Sequence, residues 1–422
     1  MDELHERSIE QDVLLSRIRR RLSEQPGLKV VLMGATMDVG FFEAYFSSFQ
    51  VAQVVVDSGR HAVQDYFLND LSLSGFWACP SKVIHEVVAQ FQKLTQFRSV
   101  LVFLATKAEI RKCAAALSDT LTSLDGPIEV RQLYSGVARS VEKDICQLLR
   151  DSNARLIVLA TNVAEAAVTL ENLDAVIDFG HENTRFRGGM KVVRESRASS
   201  VQRRGRAGRT GLRHGFYLLM LSKSDYATLH EYREPAVCRL PLTSLIVVAL
   251  SSGQLERCAD AESFLRNLPT VPPLEHLRTD LAFLEALHLT ADGYLTNLGQ
   301  RVSEMQVEPE IAVILLAGAL LGVGKSCAFI AAAAMSERLL EILTQSRKKL
   351  QCLKSSWGID EPCCDLRLLT HAMQDYQHWD ARLVAWGDFD TLWEDVADMQ
   401  LMVQPLLTDD DENGSSITRP CR

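Results

Sequence analysis

Five short apolar runs alternate with segments of helical spacing, and this alternation restricts the fold more than any other feature of the sequence. Runs of this length, rich in Val, Ile, Leu and Phe, predict buried strands. The five runs are Leu28–Met33, Ser99–Leu104, Ala154–Ala160, Ala175–Asp178 and Gly215–Met220. Strands that alternate with helices predict an α/β fold with a doubly wound parallel sheet. Ligands bind such folds at the loops after the carboxyl ends of the strands.

The pattern changes to helices after the fifth run. Leu242–Leu250 and Leu274–Leu287 have helical spacing, and Asp292-Gly293 is a hairpin turn signal. Helices followed by a small hairpin predict a winged helix. Residues 298–400 predict a helical bundle, and the acidic end of the chain, residues 401–422, predicts a disordered tail.

Composition excludes several classes of protein. The chain is 47% hydrophobic and 23% charged, as in globular proteins, which excludes disorder along its whole length. Its ten cysteines form no CxxC pair, which argues against structural zinc and favours a reducing compartment. The N-terminus has no apolar signal region, so we expect an intracellular protein, cytoplasmic or nuclear and not secreted. The apolar stretch Ile311–Gly324 has 14 residues, fewer than the roughly 20 of a membrane span, and predicts buried helices.

The distribution of charge matters more than the net charge of −9. Residues 185–213 contain ten Lys or Arg and one acid, whereas residues 355–422 contain fourteen acids and four Arg. Local fields steer polyanions more than the net charge does. The basic segment therefore predicts a surface that attracts a polyanion, with a solvated face as the alternative.

The segment Gln202–Arg209, with the sequence Gln-Arg-Arg-Gly-Arg-Ala-Gly-Arg, carries the strongest chemical signal. Arg206 and Arg209 are three residues apart, and on a helix such residues lie on one face. Two guanidinium groups on one face suit the charge of a phosphoryl group in transfer. Gln202 is placed to orient a water molecule.

This segment resembles motif VI of the superfamily 2 helicases, and closely that of the DEAH/DExH RNA helicases. Further segments follow in the order of that family's motifs. They are Asp2–His5 (motif II, the DExH box), Gly34–Thr36 (motif III), Leu101–Leu104 (motif IV), Thr161–Thr169 (motif V) and Leu295–Gly299 (the helicase-associated region). The resemblance covers about residues 1–400 and implies a RecA-like sheet of the P-loop NTPase type, followed by helicase-associated domains.

The resemblance implies ATP and Mg²⁺ as cofactors. Asp2 would hold Mg²⁺ through water, and Glu3 would polarise the attacking water. His5 would link the ATP site to motif VI. Gly34, Ala35 and Thr36 would couple the nucleotide state to the grip on RNA. Further members of the ATP site are expected in motifs V and VI: Thr169 and Glu171 at the ribose, and Gln202, Arg206 and Arg209 at the γ-phosphate.

The resemblance also implies RNA as a partner, single-stranded or structured, with a protein activator as a further class of partner. Thr161 would contact an RNA phosphate. Residues 180–196 lie where the family carries a β-hairpin that helps to part strands, and Arg185, Arg187 and Lys191 are the expected phosphate contacts there.

The sequence also departs from the family pattern. It begins at motif II, and we expect that the gene model starts late, at an internal Met, after the phosphate-binding loop. Gly322–Ser326 is no substitute, because a P-loop requires Gly at position 319, where this chain has Ala. In motif III, Gly34 replaces the usual Ser. In motif V, Glu171 replaces the usual Asp.

We therefore predict an ATP-dependent RNA helicase. The predicted domains are a remnant of a first RecA-like domain (1–58), a complete second RecA-like domain (59–222), a winged helix (223–297), a ratchet-like bundle (298–400) and an acidic tail (401–422). Two alternatives stay open. One is a catalytically incomplete fragment or pseudo-helicase that binds RNA or a protein partner, and the other is a DNA helicase of the same superfamily.

Overall fold

The computed structural model describes most of the chain up to residue 331. The described residues are 1–56, 62–71, 79–120, 128–135, 139–150, 155–166, 170, 172–208, 214–305, 307–324, 327–328 and 330–331. The chain divides into two compact units. One comprises Met1–Pro241 and Leu265–Pro273, and the other comprises Leu242–Phe264 and Leu274–Arg422.

The first unit contains a six-stranded parallel sheet and a separate antiparallel hairpin. Its strands are β1 (Val63–Phe67), β2 (Ser99–Phe103), β3 (Glu129–Leu133), β4 (Leu156–Ala160), β5 (Ala175–Asp178), β6 (His181–Phe186), β7 (Gly189–Arg194) and β8 (Gly215–Leu219). The order in the sheet is β1-β8-β5-β2-β4-β3, and β6 pairs with β7. The predicted doubly wound parallel sheet is confirmed.

The helices of the first unit lie before, between and after these strands in the sequence. They are α1 (Ile9–Glu24), α2 (Val39–Tyr45), α3 (Pro80–Thr95), α4 (Lys107–Thr120), α5 (Arg139–Arg150), α6 (Val163–Ala166), α7 (Arg197–Arg204), α8 (Lys223–Ala227) and α9 (Ala236–Arg239). Strand β2 shows why the sheet is covered on both faces. Val100 and Val102 belong to one buried cluster, and Leu101 and Phe103 belong to another. A strand buried on both faces has the continuous apolar sequence that predicted it.

One predicted strand is wrong. Leu28–Met33 forms no strand; it is irregular, and its backbone hydrogen-bonds to the N-terminal residues. The Met1 ammonium donates to the Val31 carbonyl (2.8 Å), the Met33 N–H donates to the Met1 carbonyl (2.8 Å), and the Leu4 N–H donates to the Met33 carbonyl (3.1 Å). Val31 and Met33 are exposed, so the apolar run is not a buried strand. These bonds nevertheless place motif III beside motif II.

The elements after residue 241 are helices α10 (Thr243–Ser251), α11 (Ala261–Leu265), α12 (Leu274–Ala286), α13 (Asn297–Glu304) and α14 (Pro309–Leu320), with strands β9 (Thr290–Ala291) and β10 (Tyr294–Leu295). The predicted hairpin turn is confirmed, since Asp292 and Gly293 both have positive φ. A Cβ on Gly299 would lie 2.3 Å from the Leu289 carbonyl oxygen, so this position requires glycine for α13 to approach the hairpin. None of the helices in the described residues reaches the length and apolarity that crossing a membrane requires.

Candidate functional site

The DExH-like segment forms a short turn with exposed carboxylates. A 3-10 helix spans Leu4–Glu6, and the residues on either side, Glu3 and Arg7, both have left-handed backbone (φ 53° and 48°). The buried Leu4 anchors the turn, whereas Asp2 is exposed and the Glu3 side chain is 55% exposed. A left-handed conformation costs free energy at a residue other than glycine. The carboxylates of Asp2 and Glu3 thus lie at the surface of this turn, where a ligand can reach them.

Arg7 fixes this turn to the rest of the first unit. Its guanidinium donates two hydrogen bonds to the buried Asp12 carboxylate (2.8 and 3.0 Å) and one to the Thr270 hydroxyl (2.8 Å). It also lies 4.5 Å from the centroid of the Phe41 ring. A buried bidentate pair restricts both partners. Sequence analysis did not identify this pair, although Arg7 lies only two residues after the motif.

His5 joins motif II to motif III. Its Nδ1 lies 3.3 Å from Glu3 Oε2, but no donor or acceptor in the described residues is aligned to hydrogen-bond with it. A Cβ on Gly34 would lie 3.5 Å from the same nitrogen. Gly34 thus packs directly against the imidazole.

Motif III and motif VI are joined by a hydrogen bond. The Gln202 amide nitrogen on α7 donates to the Thr36 hydroxyl over 2.7 Å. Gln202 is half-buried and lies 166 residues from Thr36 in sequence, so the contact depends on the tertiary fold. Two segments predicted to form one site are therefore in direct contact.

The centre of motif VI is a buried ion cluster that sequence analysis missed. The Arg203 side chain is 1% exposed. It hydrogen-bonds to Glu165 at the motif V helix (2.7 Å) and to Asp178 at the end of β5 (2.8 Å). Arg233 also donates to Glu165 (3.1 Å) and to Glu182 of the hairpin (2.9 Å). We call these two arginines and four carboxylates the Arg203 cluster: Glu165, Asp178, Glu182, Glu195, Arg203 and Arg233.

Carboxylates outnumber guanidinium groups in the Arg203 cluster. Glu195 lies 2.9 Å from Arg203 Nη1, but no donor in the described residues is aligned to hydrogen-bond with it. Burial, and next the charge of Asp178, raise the pKa of Glu195 well above its ordinary value, and Arg203 opposes this only in part. The Asp178 carboxylate accepts hydrogen bonds from the Tyr217 hydroxyl (2.9 Å) and from the Gly180 N–H (2.9 Å).

The remaining motif V and VI residues differ in how far the structure describes them. Arg206 is buried, and its guanidinium donates to the Glu165 carbonyl. Thr161 is buried at the end of β4, where its N–H donates to the Leu133 carbonyl (3.1 Å). The other three predicted nucleotide contacts, Thr169, Glu171 and Arg209, lie outside the described residues.

The hairpin predicted from residues 180–196 is confirmed as β6 and β7. The register pairs Arg185 with Met190 and Thr184 with Lys191, and residues directly opposite each other share a face. Arg185 and Lys191 therefore leave the hairpin on opposite faces. The Lys191 ammonium lies 5.4 Å from the centroid of the Phe186 ring, and Arg187 is in the turn between the strands.

Comparisons with known proteins agree with this geometry. The model of the helicase conserved C-terminal domain matches residues 81–211. The chain is 28% identical over 381 residues to RNA editing associated helicase 2 of Trypanosoma brucei brucei, covering 76% of this chain and 17% of that protein. It is 29% identical over 348 residues to the probable ATP-dependent RNA helicase DHX34 of Mus musculus, covering 79% and 29%. The chain thus spans less than a third of the length of these relatives.

A solved structure has the same fold. The crystal structure of the E. coli DExH-box NTPase HrpB matches with a TM-score of 0.63 and 24% identity, covering 88% of this chain and 46% of that one. The sheet and the joined motifs define a helicase-type RecA-like domain. Residues 81–211 match a helicase C-terminal domain, and the chain is similar to RNA helicases of the DEAH/DExH type.

Proposed function

We propose that this chain contributes motifs II to VI to an ATP-dependent RNA helicase of the DEAH/DExH type, which couples ATP hydrolysis to movement along RNA or its unwinding. The observation that carries the proposal is the hydrogen bond from Gln202 to Thr36, because it joins motif VI to motif III beside the motif II turn. The predicted domain boundaries are part of this proposal.

Asp2 and Glu3 supply the metal-dependent chemistry in this proposal. Mg²⁺ keeps several waters and is bound by one or two carboxylates together with substrate phosphates. Exposed carboxylates on a fixed turn fit that requirement, and no group of three or more His, Cys, Asp or Glu in the described residues forms a complete metal site. Asp2 would hold the ion through water, and Glu3 would orient and polarise the attacking water. When bound, Mg²⁺ neutralises phosphate charge.

The motif VI side supplies the positive charge. Gln202, Arg206 and Arg209 would face the γ-phosphate, with Thr169 and Glu171 at the ribose. Arg206 already donates to the Glu165 carbonyl, so the γ-phosphate would be a second partner for the same guanidinium. His5, Gly34, Ala35 and Thr36 would transmit the state of the nucleotide between the two sides.

RNA would bind along motif V and the hairpin. Thr161 would contact a phosphate, and Arg185, Arg187 and Lys191 would provide further phosphate contacts. The relatives' names support RNA rather than DNA as the nucleic acid. Competition between RNA and DNA oligonucleotides of the same sequence tests this choice.

A second candidate is an RNA-binding module with no ATP turnover of its own. The sequence favours this candidate, because it contains no segment with the P-loop pattern of Gly, any four residues and then Gly-Lys-Ser/Thr. A P-loop supplies the backbone amides and the lysine that hold the β- and γ-phosphates.

The deciding experiment measures RNA-stimulated phosphate release by two proteins. One is the 422-residue chain, and the other has a P-loop-bearing RecA-like half placed before Met1. We expect turnover only in the second protein, and its loss in a Glu3→Gln variant. Turnover by the 422-residue chain that is lost with Glu3→Gln would show that the P-loop is dispensable. A P-loop-bearing protein that binds RNA but has no turnover would favour the RNA-binding module.

A further inference from the structure

The hairpin β6–β7 is held at its base by Arg233, whose side chain is 24% exposed. Glu182 of β6 is 2% exposed and accepts hydrogen bonds from both Nε and Nη2 of Arg233. The same guanidinium donates to Glu165 (3.1 Å) and to the Ser199 hydroxyl (3.1 Å). Arg233 therefore ties the first strand of the hairpin to the motif V helix and to α7.

The turn of the hairpin is held by a second arginine from the same stretch of chain. Arg239 Nη1 donates to the Arg185 carbonyl (2.7 Å), and the Arg187 N–H donates to the Arg239 carbonyl (2.9 Å). The Arg187 guanidinium reaches the Leu240 carbonyl (3.3 Å). Three hydrogen bonds thus fix the backbone and one side chain of the turn to the end of α9.

These bonds leave one face of the hairpin open. Glu182 and Thr184 point to the buried face, whereas Arg185, Met190 and Val192 lie on the other face and are exposed. An isolated two-stranded hairpin is marginally stable in water. A ligand that binds a mobile hairpin must supply the free energy that orders it, and a hairpin fixed in advance avoids this cost.

We propose that Arg233 and Arg239 are positioning residues that hold the hairpin in the orientation in which its exposed side chains meet RNA, without contacting the RNA themselves. The inference rests on the proposed RNA-binding role of the hairpin. Arg239 suits the test better than Arg233, because Arg233 also belongs to the Arg203 cluster, where its loss would leave buried carboxylates unpaired.

The test titrates the 422-residue chain with a single-stranded oligouridylate over a range of salt concentrations. We expect Arg239→Ala to weaken binding about 3- to 10-fold by the cost of ordering the hairpin. The slope of log affinity against log salt should not change, because the contacted phosphates are the same. The triple variant Arg185→Ala, Arg187→Ala, Lys191→Ala should instead reduce the slope. It also removes the Arg187 hydrogen bond to the Leu240 carbonyl, so the slope rather than the affinity distinguishes it from Arg239→Ala. Arg20→Ala, on the exposed side of α1 at 83% exposure, is the control for loss of one charge.

Hydrogen exchange of the β6 and β7 amides in the free chain gives a readout that does not depend on RNA. We expect faster exchange in Arg239→Ala with an unchanged midpoint of thermal unfolding. If Arg239→Ala does not fold, Arg239→Lys serves instead. Its ammonium can still donate to the Arg185 carbonyl, so we expect it to keep hairpin protection and nearly all of the affinity.

Three results overturn the proposal: unchanged exchange in Arg239→Ala, unchanged affinity in Arg239→Ala, or a slope that falls as far as in the triple variant. The last result would make Arg239 an RNA contact. Loss of hairpin protection in Arg239→Lys would also overturn the proposal, because it would show that a donor to the Arg185 carbonyl does not hold the hairpin. Failure of the proposed RNA surface appears separately, as an unchanged slope in the triple variant, and the exchange experiment still decides whether Arg239 holds the hairpin.

Discussion

The carboxylates of motif II and the arginines of motif VI stand in opposite environments, although both belong to one proposed catalytic site. Asp2 and Glu3 are exposed on a turn and have room for a ligand. Arg203 and Arg206 are buried and already paired with groups of the protein. The acidic side of the site thus presents its charge to solvent, whereas part of the basic side serves the fold.

This difference shows that a run of arginines is not one functional unit. Burying ions costs several kcal/mol for each, and the cost is recovered only with close partners. The Arg203 cluster meets that condition by drawing acids from motif V, β5 and both ends of the hairpin. The cluster thereby joins the motif V helix, β5 and the hairpin to α7. Helix α7 ends at Arg204, so Arg206 lies in the turn after it rather than on a helical face, and Arg209 lies outside the described residues.

The largest expected effect concerns an arginine of motif VI that is proposed to act on ATP. In a protein with a P-loop-bearing half before Met1, Arg209→Ala should reduce ATP turnover about 10³- to 10⁵-fold. RNA affinity should change little, because it is spread over many phosphate contacts. Steady-state phosphate release and RNA titration measure the two effects. Equal loss of both would place Arg209 with Arg203, as an arginine that serves the structure.

The next largest effect concerns the arginine that is buried. Arg203→Ala leaves the cluster's carboxylates with one guanidinium, and removal of one partner from a buried pair costs about 3–5 kcal/mol. Arg204→Ala on the same helix is the matched control. Arg204 is 38% exposed and pairs with Asp65, and exposed pairs contribute about 0–1 kcal/mol. Denaturant unfolding monitored by circular dichroism measures both variants. Similar losses of stability would mean that burial does not distinguish the two arginines.

The sequence predicted those parts of the fold and site that depend on local pattern. Continuous apolar runs identified β2, β4, β5 and β8, since strands buried on both faces need them. Strands β1 and β3 were missed, because both lie at the edges of the sheet and have polar residues such as Asp65 and Arg131. Pattern alone also made Leu28–Met33 a buried strand, although burial depends on which neighbours the fold supplies.

The site shows the same limit. The order of the motifs identified Gln202 and Thr36 as members of one site, and the structure brings them into contact. The sequence could not show that Arg203, rather than a neighbouring arginine, is the buried one, because the orientation of α7 decides which arginine points inward. Its acidic partners are spread over 31 positions, from Glu165 to Glu195, and only the tertiary fold brings them together.

The buried Glu195 of the Arg203 cluster also predicts that the free energy of unfolding depends on pH. The native pKa of Glu195 is raised by burial and by Asp178. A carboxyl group whose pKa is higher in the folded state than in the unfolded state stabilises the fold at pH values below its unfolded pKa, about 4.3 for Glu. This contribution is lost as the pH rises through the folded-state pKa. The unfolding free energy of the native chain, compared with Glu195→Gln, should therefore fall as pH increases. A difference that grows in favour of the native chain would mean that Glu195 is ionised and stabilised by Arg203.

The smallest expected effect concerns the exposed basic residues of the hairpin, which contrast with Arg203 within the same basic segment. Each phosphate neutralised on a single strand contributes about −0.7 to the slope of log affinity against log salt. Three to five contacts give a slope of roughly −2 to −3.5. Replacing Arg185, Arg187 and Lys191 by Ala should remove about 2 from its magnitude. The expected change is an upper limit, because Arg185 and Lys191 lie on opposite faces and one strand of RNA meets both only if it wraps the hairpin. A change of about 0.7 in the slope, which corresponds to one phosphate contact, would show that RNA uses a single face of the hairpin. An unchanged slope would place RNA elsewhere on the chain.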